Sequence, residues 1–288
     1  MSENKFCGFR GAGIEMSTSK KCEMDANEIN LSSNNISGKR AGRIKRSAIK
    51  TFVDTLKAEF VKLKGSSIIF AHILIPIITS GIFLLYYSFS PWDENSKLIV
   101  FYQALGTGLP LLIGVFTAGL MEQEQNAGNY HNMLTIPQKL TAFLSKLVIL
   151  LVLGLLALLF TSLIFGMRGR MGLCIRASLV IWLSSLPIYI WQMILAFRFG
   201  KGVSIAGGII SALVSALFIT NMGVYVWKYV FISWTGRVVQ TYLKMTLGDS
   251  GADTAPGNIG LLYTIFMIFS ISCYLLWSYH WEGSKVTE

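Results

Sequence analysis

Residues 98–134, LIVFYQALGTGLPLLIGVFTAGL followed by MEQEQNAGNYHNML, decide the fold of this chain. The first part, Leu98 to Leu120, has no Asp, Glu, Lys or Arg, and about 20 helical residues suffice to cross a hydrocarbon layer of about 30 Å. Uncharged apolar runs of the same kind recur at 68–87, 147–167, 177–197, 203–226 and 259–278. Six such runs predict an all-α membrane protein with six transmembrane helices. The second part, Met121 to Leu134, is a polar island between two of the runs, richer in acids and amides than a plain connection needs.

The whole chain agrees with the local reading. Fifty-three percent of its 288 residues are hydrophobic, only 14% are charged and the mean hydropathy is +0.55, whereas a soluble domain carries about 25% charged residues. Charged groups inside spans mark ion pathways and proton relays, so their absence from all six runs argues against an ion-coupled transporter. It leaves open a conduit driven from outside the membrane.

An even number of spans puts both termini on one side, and the basic residues decide which. Thirteen Lys and Arg fall in residues 1–67, and with Lys139, Lys146, Arg198, Lys201 and Lys285 they make 18 on that side. Lys97, Arg168, Arg170, Arg176, Lys228, Arg237 and Lys244 make seven on the other. The excess predicts cytoplasmic termini, although Arg168, Arg170 and Arg176 on one short outer loop run against the rule. The net charge of +10 therefore belongs largely to a leader whose Lys39, Arg40, Arg43, Lys45, Arg46 and Lys50 suit anionic lipid rather than nucleic acid.

Residues 1–46, rich in Ser, Asn, Gly and Lys, predict a disordered cytoplasmic leader with no signal-peptide core. Residues 47–65 predict an amphipathic helix on the cytoplasmic membrane surface: Ile49, Phe52, Val53, Leu56, Phe60 and Leu63 recur at helical steps, with Glu59 and several lysines on the remaining faces. The membrane domain then occupies 66–282, and 283–288 form a cytoplasmic tail. Within it, His72 and Pro76 lie one turn apart, and packing or hydrogen bonding accounts for the histidine better than a proton or metal site. Ser204 with Gly208, and Ser211 with Ser215, stand four apart in the fifth run, a spacing that lets another helix approach, in this chain or in a second subunit. Tyr86, Tyr87 and Trp92, Tyr225, Trp227 and Tyr229, and Trp277, Tyr279 and Trp281 read as aromatic belts at headgroup depth. The stretch from Trp227 to Asn258 is too apolar for a solvated linker and predicts short interfacial or re-entrant helices, followed by a flexible loop over 248–257.

Motifs for chemistry are lacking. There is no GxxxxGK[ST], HExxH, GxSxG or CxxC, and Cys7, Cys22, Cys174 and Cys273 show no metal or disulfide spacing. No catalytic residue, metal site or cofactor is expected in the chain itself. The island reads instead as a short helix with acids near its start and apolar residues beyond, an element that a driving protein could grip through Glu122, Glu124, Ala127, Gly128, Asn129, Met133 and Leu134. An ordinary solvated turn is the alternative.

Five strings in order carry a family likeness: KAEFVKLK at 57–64, HILIP at 72–76, YSFSPW at 87–92, EQE with AGN over 122–129, and LSKL at 144–147. They resemble the ABC-2 type permeases of lantibiotic self-immunity transporters, the E and G subunits of that complex, from about Lys57 to the sixth span. The resemblance implies six membrane helices, a connecting helix carrying Phe52, Leu56, Glu59, Phe60 and Leu63, and a coupling helix between the second and third spans. It implies a separate dimeric ABC ATPase that uses ATP and Mg, and a second permease half, identical or homologous. It also implies a multi-pass protein in the plasma membrane of a Gram-positive producer, expelling a cationic amphiphilic peptide. Export of another lipid, polysaccharide or drug, or sequestration of a peptide without transport, are the alternatives. The basic leader departs from the family's short start, which leaves either a genuine tail or a true start at a later methionine such as Met16 or Met24.

Overall fold

A helix over residues 50–63 (α1) leads into α2 (Ser67–Phe89), α3 (Glu94–Asn126), α4 (Lys139–Gly166), α5 (Met171–Phe199), α6 (Lys201–Ile219), α7 (Trp234–Leu247) and α8 (Ile259–His280). The structure, a computed structural model, describes residues 50–128, 130, 131, 133, 139–167, 169–220, 223–248 and 258–282, and no strand occurs among them. The leader, Cys7, Cys22, Ile49, Asn129, Leu134, residues 249–257 and the tail over 283–288 lie outside the described residues. The chain divides into two units, Met1–Val53 and Asp54–Glu288. Of the first only residues 50–53 are described, all helical; the second holds the rest of α1 and every helix after it.

Among the described residues, six helices, α2 to α6 and α8, are long and apolar enough to span a membrane. They lie over the six apolar runs, and their outward faces remain apolar: Phe70 and Ile73 on α2, Ile210 and Leu213 on α6, Leu261 and Ile268 on α8 are all exposed. A surface of that kind is stable against lipid tails and not against water. The chain is therefore a multi-pass membrane protein.

The 33-residue α3 runs through the middle of the bundle, against α5, α6 and α7. Glycine allows the closest approaches. A Cβ on Gly114 would lie 2.8 Å from both the Gly208 Cα and the Ser204 carbonyl of α6, and one on Gly106 would strike the Thr235 carbonyl of α7. Ser204, Gly208, Ser211 and Ser215 are the buried residues of α6, so the small-residue stripe packs helix on helix within one chain. Ser204 Oγ donates to the Gly114 carbonyl at 2.9 Å and lies 2.9 Å from Thr117 Oγ1.

The run expected to span 203–226 ends early, at Ile219. The reason lies 18 residues further on, where the buried Arg237 of α7 donates from Nε to the Phe218 carbonyl at 2.7 Å and from Nη2 to the Thr220 carbonyl at 3.0 Å. A cation there satisfies carbonyls left without partners at a helix C-terminus and complements its dipole. Two short 3-10 turns, Trp227–Tyr229 and Phe231–Ser233, then lead into α7, which buries Trp234, Val239 and Leu243. Short helices therefore occupy the apolar stretch after Trp227.

Three aromatics read as belt residues are core instead. Tyr87, Trp227 and Trp281 are buried, while Tyr86, Tyr225 and Tyr279 remain exposed. Trp281 Nε1 donates to the Phe197 carbonyl at 3.2 Å, and its ring meets Tyr130, Phe143 and Phe197 edge to face. Its polar handle, satisfied inside the protein, removes the need to reach the headgroups. His72 is likewise internal: Nδ1 donates to the Ile68 carbonyl at 2.7 Å and the ring stacks on Phe116 at 3.8 Å.

Candidate coupling site

The basal end of the bundle gathers α1, the end of α3, the start of α4, the α5–α6 joint and the end of α8. Two glycines with positive φ make the joints tight: Gly65 (φ +90°) between α1 and α2, and Gly200 (φ +93°), the single residue between α5 and α6. Ser66 caps α2, its Oγ accepting from the Ile68 amide at 3.3 Å.

α1 seats Leu56, Glu59 and Leu63 inward, at helical steps, and turns Phe60 outward. Phe52 is half-buried. The sequence-based expectation sets Glu59 on a polar face, but three residues after Leu56 and four before Leu63 it falls on the inward stripe; its burial is a correction, and a charge lies beneath it. Lys146, in the second turn of α4, has no exposed side-chain surface, and its Nζ donates at 2.6 Å to Glu59 Oε2 and at 2.6 Å to Glu124 Oε1 of α3. From the rim, Lys62 Nζ reaches Glu59 Oε1 at 3.2 Å and Glu124 Oε1 at 3.0 Å, with its side chain 32% exposed. Gln123 Nε2 adds a bond to the Lys62 carbonyl at 2.8 Å. Partial burial lowers the Lys62 pKa, but the Glu124 and Glu59 carboxylates outweigh it and hold the pKa above the ordinary lysine value.

This arrangement overturns one expectation about the island. Its acids do not begin a short helix; they sit in the last turns of α3, which runs on to Asn126. A helix C-terminus is the unfavourable end for a carboxylate, so Glu124 depends on the two lysines. Removing one member of a buried pair costs about 3–5 kcal/mol because the remaining charge is stranded. Glu124 is buried and faces the bundle, whereas Glu122 is half-exposed and pairs with Lys201, the first residue of α6, at 2.7 Å. Met133 and Tyr130 fold inward; Asn126, Ala127, Gly128 and His131 form the exposed part of the island. Gly128 has φ +123° and its carbonyl accepts from the His131 amide at 3.0 Å, closing the turn.

The island is thus held from behind. Tyr130 meets Trp281 edge to face at 5.6 Å, and Lys139 Nζ donates to the Trp281 carbonyl at 3.1 Å. Tyr274 donates its hydroxyl to the Phe143 carbonyl at 2.9 Å. Behind the exposed turn, aromatic packing joins α4, α5 and α8. Elsewhere, an open, mostly apolar groove of about 580 Å³ runs between α3 and α6, with Gln103 and Thr107 among its lining residues. No group of three or more His, Cys, Asp or Glu able to hold a metal occurs among the described residues.

Residues 55–223, more than half of the chain, match the family described as ABC-2 family transporter protein. The chain belongs to the ABC-2 transporter family. No curated protein and no solved structure matches it. As an ABC-2 family member it is a transport subunit of the membrane, not itself a catalyst, and membership implies an ABC ATPase in the working transporter. The matched span takes in the ionic cluster whole, from Glu59 and Lys62 through Glu124 to Lys146.

That cluster is not evident in the sequence. Its members are up to 87 residues apart along the chain. Two signals were available: Glu59 alternates with apolar residues on one helical stripe, and Lys146 stands inside LSKLVILL.

Proposed function

We propose that this ABC-2 permease is one half of an exporter that removes a cationic amphiphilic peptide of the lantibiotic type from the plasma membrane of a Gram-positive producer, giving self-immunity. The basal end, with both termini, faces the cytoplasm, where a dimeric ABC ATPase hydrolyses ATP with Mg; a second permease half, identical or homologous, completes the conduit. The observation that carries the reading is the ionic cluster tying α1 to α3 and α4 beside an exposed turn at Ala127 and Gly128. Closure of an ATPase dimer against that turn and α1 would rock the helices as rigid bodies. The family strings over 57–147 and the basic excess on this side support the peptide substrate and the orientation.

A second reading, export of another lipid, polysaccharide or drug, draws support from the apolar α3–α6 groove, which would accept an acyl chain as readily as a peptide side chain. The test expresses the permease, its partner half and the ATPase in sensitive cells and challenges them with a cationic lantibiotic. Resistance that needs an ATPase able to hydrolyse ATP, with more peptide in the medium than on the cells, is the expected result. Resistance that survives with a hydrolysis-dead ATPase leaves sequestration as the account. Absence of resistance with intact ATPase activity removes the peptide substrate.

A further inference from the structure

We propose that Lys146 is a positioning residue of the transport cycle, the fixed half of a latch that α1 closes by seating Glu59 and Lys62 against Lys146 and Glu124, and opens by withdrawing them together. The proposal rests on the reading that force enters at this end of the bundle.

The four charges divide in a particular way. Glu59 and Lys62 are three residues apart on one helix and bonded to each other at 3.2 Å. Glu124 and Lys146 stand on α3 and α4 and are bonded at 2.6 Å. Each half is neutral by itself. When α1 lifts, the contacts that break include Lys146 with Glu59, Lys62 with Glu124, and the Gln123 amide with the Lys62 carbonyl. No buried charge is left without its counter-ion. A cluster meant only to fix α1 in place has no need of this division, since any pairing across the joint would serve.

The asymmetry of burial fits a moving half and a fixed half. Lys62 is one-third exposed and can be solvated as it leaves; Lys146 has no exposed surface and keeps Glu124. An ammonium has three donors, two of which Lys146 gives to carboxylates from two different elements, so its position registers whether α1 is seated. The apolar part of the joint is small, with Leu63 buried and Leu56 partly so. The charges therefore set much of the balance between seated and lifted.

The division gives the substitutions opposite signs. Glu59→Gln weakens the seated state only, because the fixed half stays neutral when α1 lifts. Glu124→Gln makes lifting costly, because Lys146 would then be buried without a carboxylate. A merely structural role predicts loosening of α1 in both variants.

Hydrogen exchange of the α1 amides, residues 54–63, measured on the full-length permease in lipid nanodiscs, reads the balance directly. Glu59→Gln is expected to speed that exchange about tenfold, the ratio one lost charge-assisted bond carries, and Glu124→Gln to slow it below the unmodified protein. Should Glu124→Gln fail to fold, the pair Glu124→Gln with Lys146→Met removes the stranded charge together with both charged contacts across the joint, and is expected to speed exchange at least as much as Glu59→Gln does; unchanged or slower exchange in that pair would overturn the latch. Faster exchange in both single variants, or no change in either, overturns the latch. Adding the ATPase and a non-hydrolysable ATP analogue separates this result from the functional reading. Opposite signs with no nucleotide response at α1 would keep the latch and remove the coupling role.

Discussion

The two ends of the bundle are joined by different kinds of contact. At the distal end, α7 is sewn into the fold by backbone: Gly106 lies against the Thr235 carbonyl, Arg237 holds two carbonyls at the end of α6, and Ser233 Oγ bonds the Trp227 carbonyl at 2.9 Å. At the basal end, α1 is attached through side-chain charges that separate into two neutral pairs. Glycine contacts between backbones have no intermediate spacing, because a shift of a few tenths of an ångström forfeits the packing. Charges that divide into two neutral pairs can part without stranding a buried charge. On the proposed latch, the difference leaves one end rigid and lets the other move, as a conduit pushed from a single side would need.

Four substitutions would break or sharpen that contrast. The largest effect is expected from Lys146→Met, which leaves two carboxylates with only the rim lysine and should cost about 3–5 kcal/mol, seen as loss of folded protein in a thermal melt in detergent. Adding Glu59→Gln and Glu124→Gln to it should recover most of that loss, since no buried charge is then unmatched. Recovery of nothing would mean that the packing at Lys146, and not its charge, carries the joint.

Arg237→Met comes next. It removes charge-assisted bonds to two carbonyls at about 1.5–3 kcal/mol each, and the freed end of α6 should show in faster amide exchange at 215–219 while α1 is unchanged. Gly114→Ala is expected to cost about 1–3 kcal/mol by forcing α3 from α6. A loss within experimental error would show that α6 can slide on α3, and backbone contacts would no longer be the rigid ones. The smallest effect belongs to Glu122→Ala: the pair with Lys201 is surface-exposed and should contribute about 0–1 kcal/mol to stability.

The contrast also explains what could be read from the sequence. Six spans were legible because an uncharged run of 20 residues has few other uses, and the short helices after Trp227 because VFISW is too apolar for solvent. The small-residue stripe on α6 was legible as a packing surface; which helix it meets was not, since α3 precedes it by 90 residues. The ionic cluster escaped for a physical reason. An acid at the end of an apolar run is commonly solvated, and only the fold brings Glu59 and Glu124 each to 2.6 Å from the shared Lys146 ammonium. Arg237 escaped in the same way, because an arginine in a stretch of short helices gives no sign that it caps the end of a helix 18 residues earlier.

The central claim is that ATP-driven force enters this ABC-2 permease at α1 and the island and leaves the distal end intact. The most direct measurement is hydrogen exchange on the complete transporter in nanodiscs, with and without a non-hydrolysable ATP analogue, comparing residues 54–63 with residues 234–247. The account predicts that nucleotide changes exchange in the first segment by about tenfold or more and leaves the second within about twofold. Equal responses in both segments, or a response confined to 234–247, would contradict it.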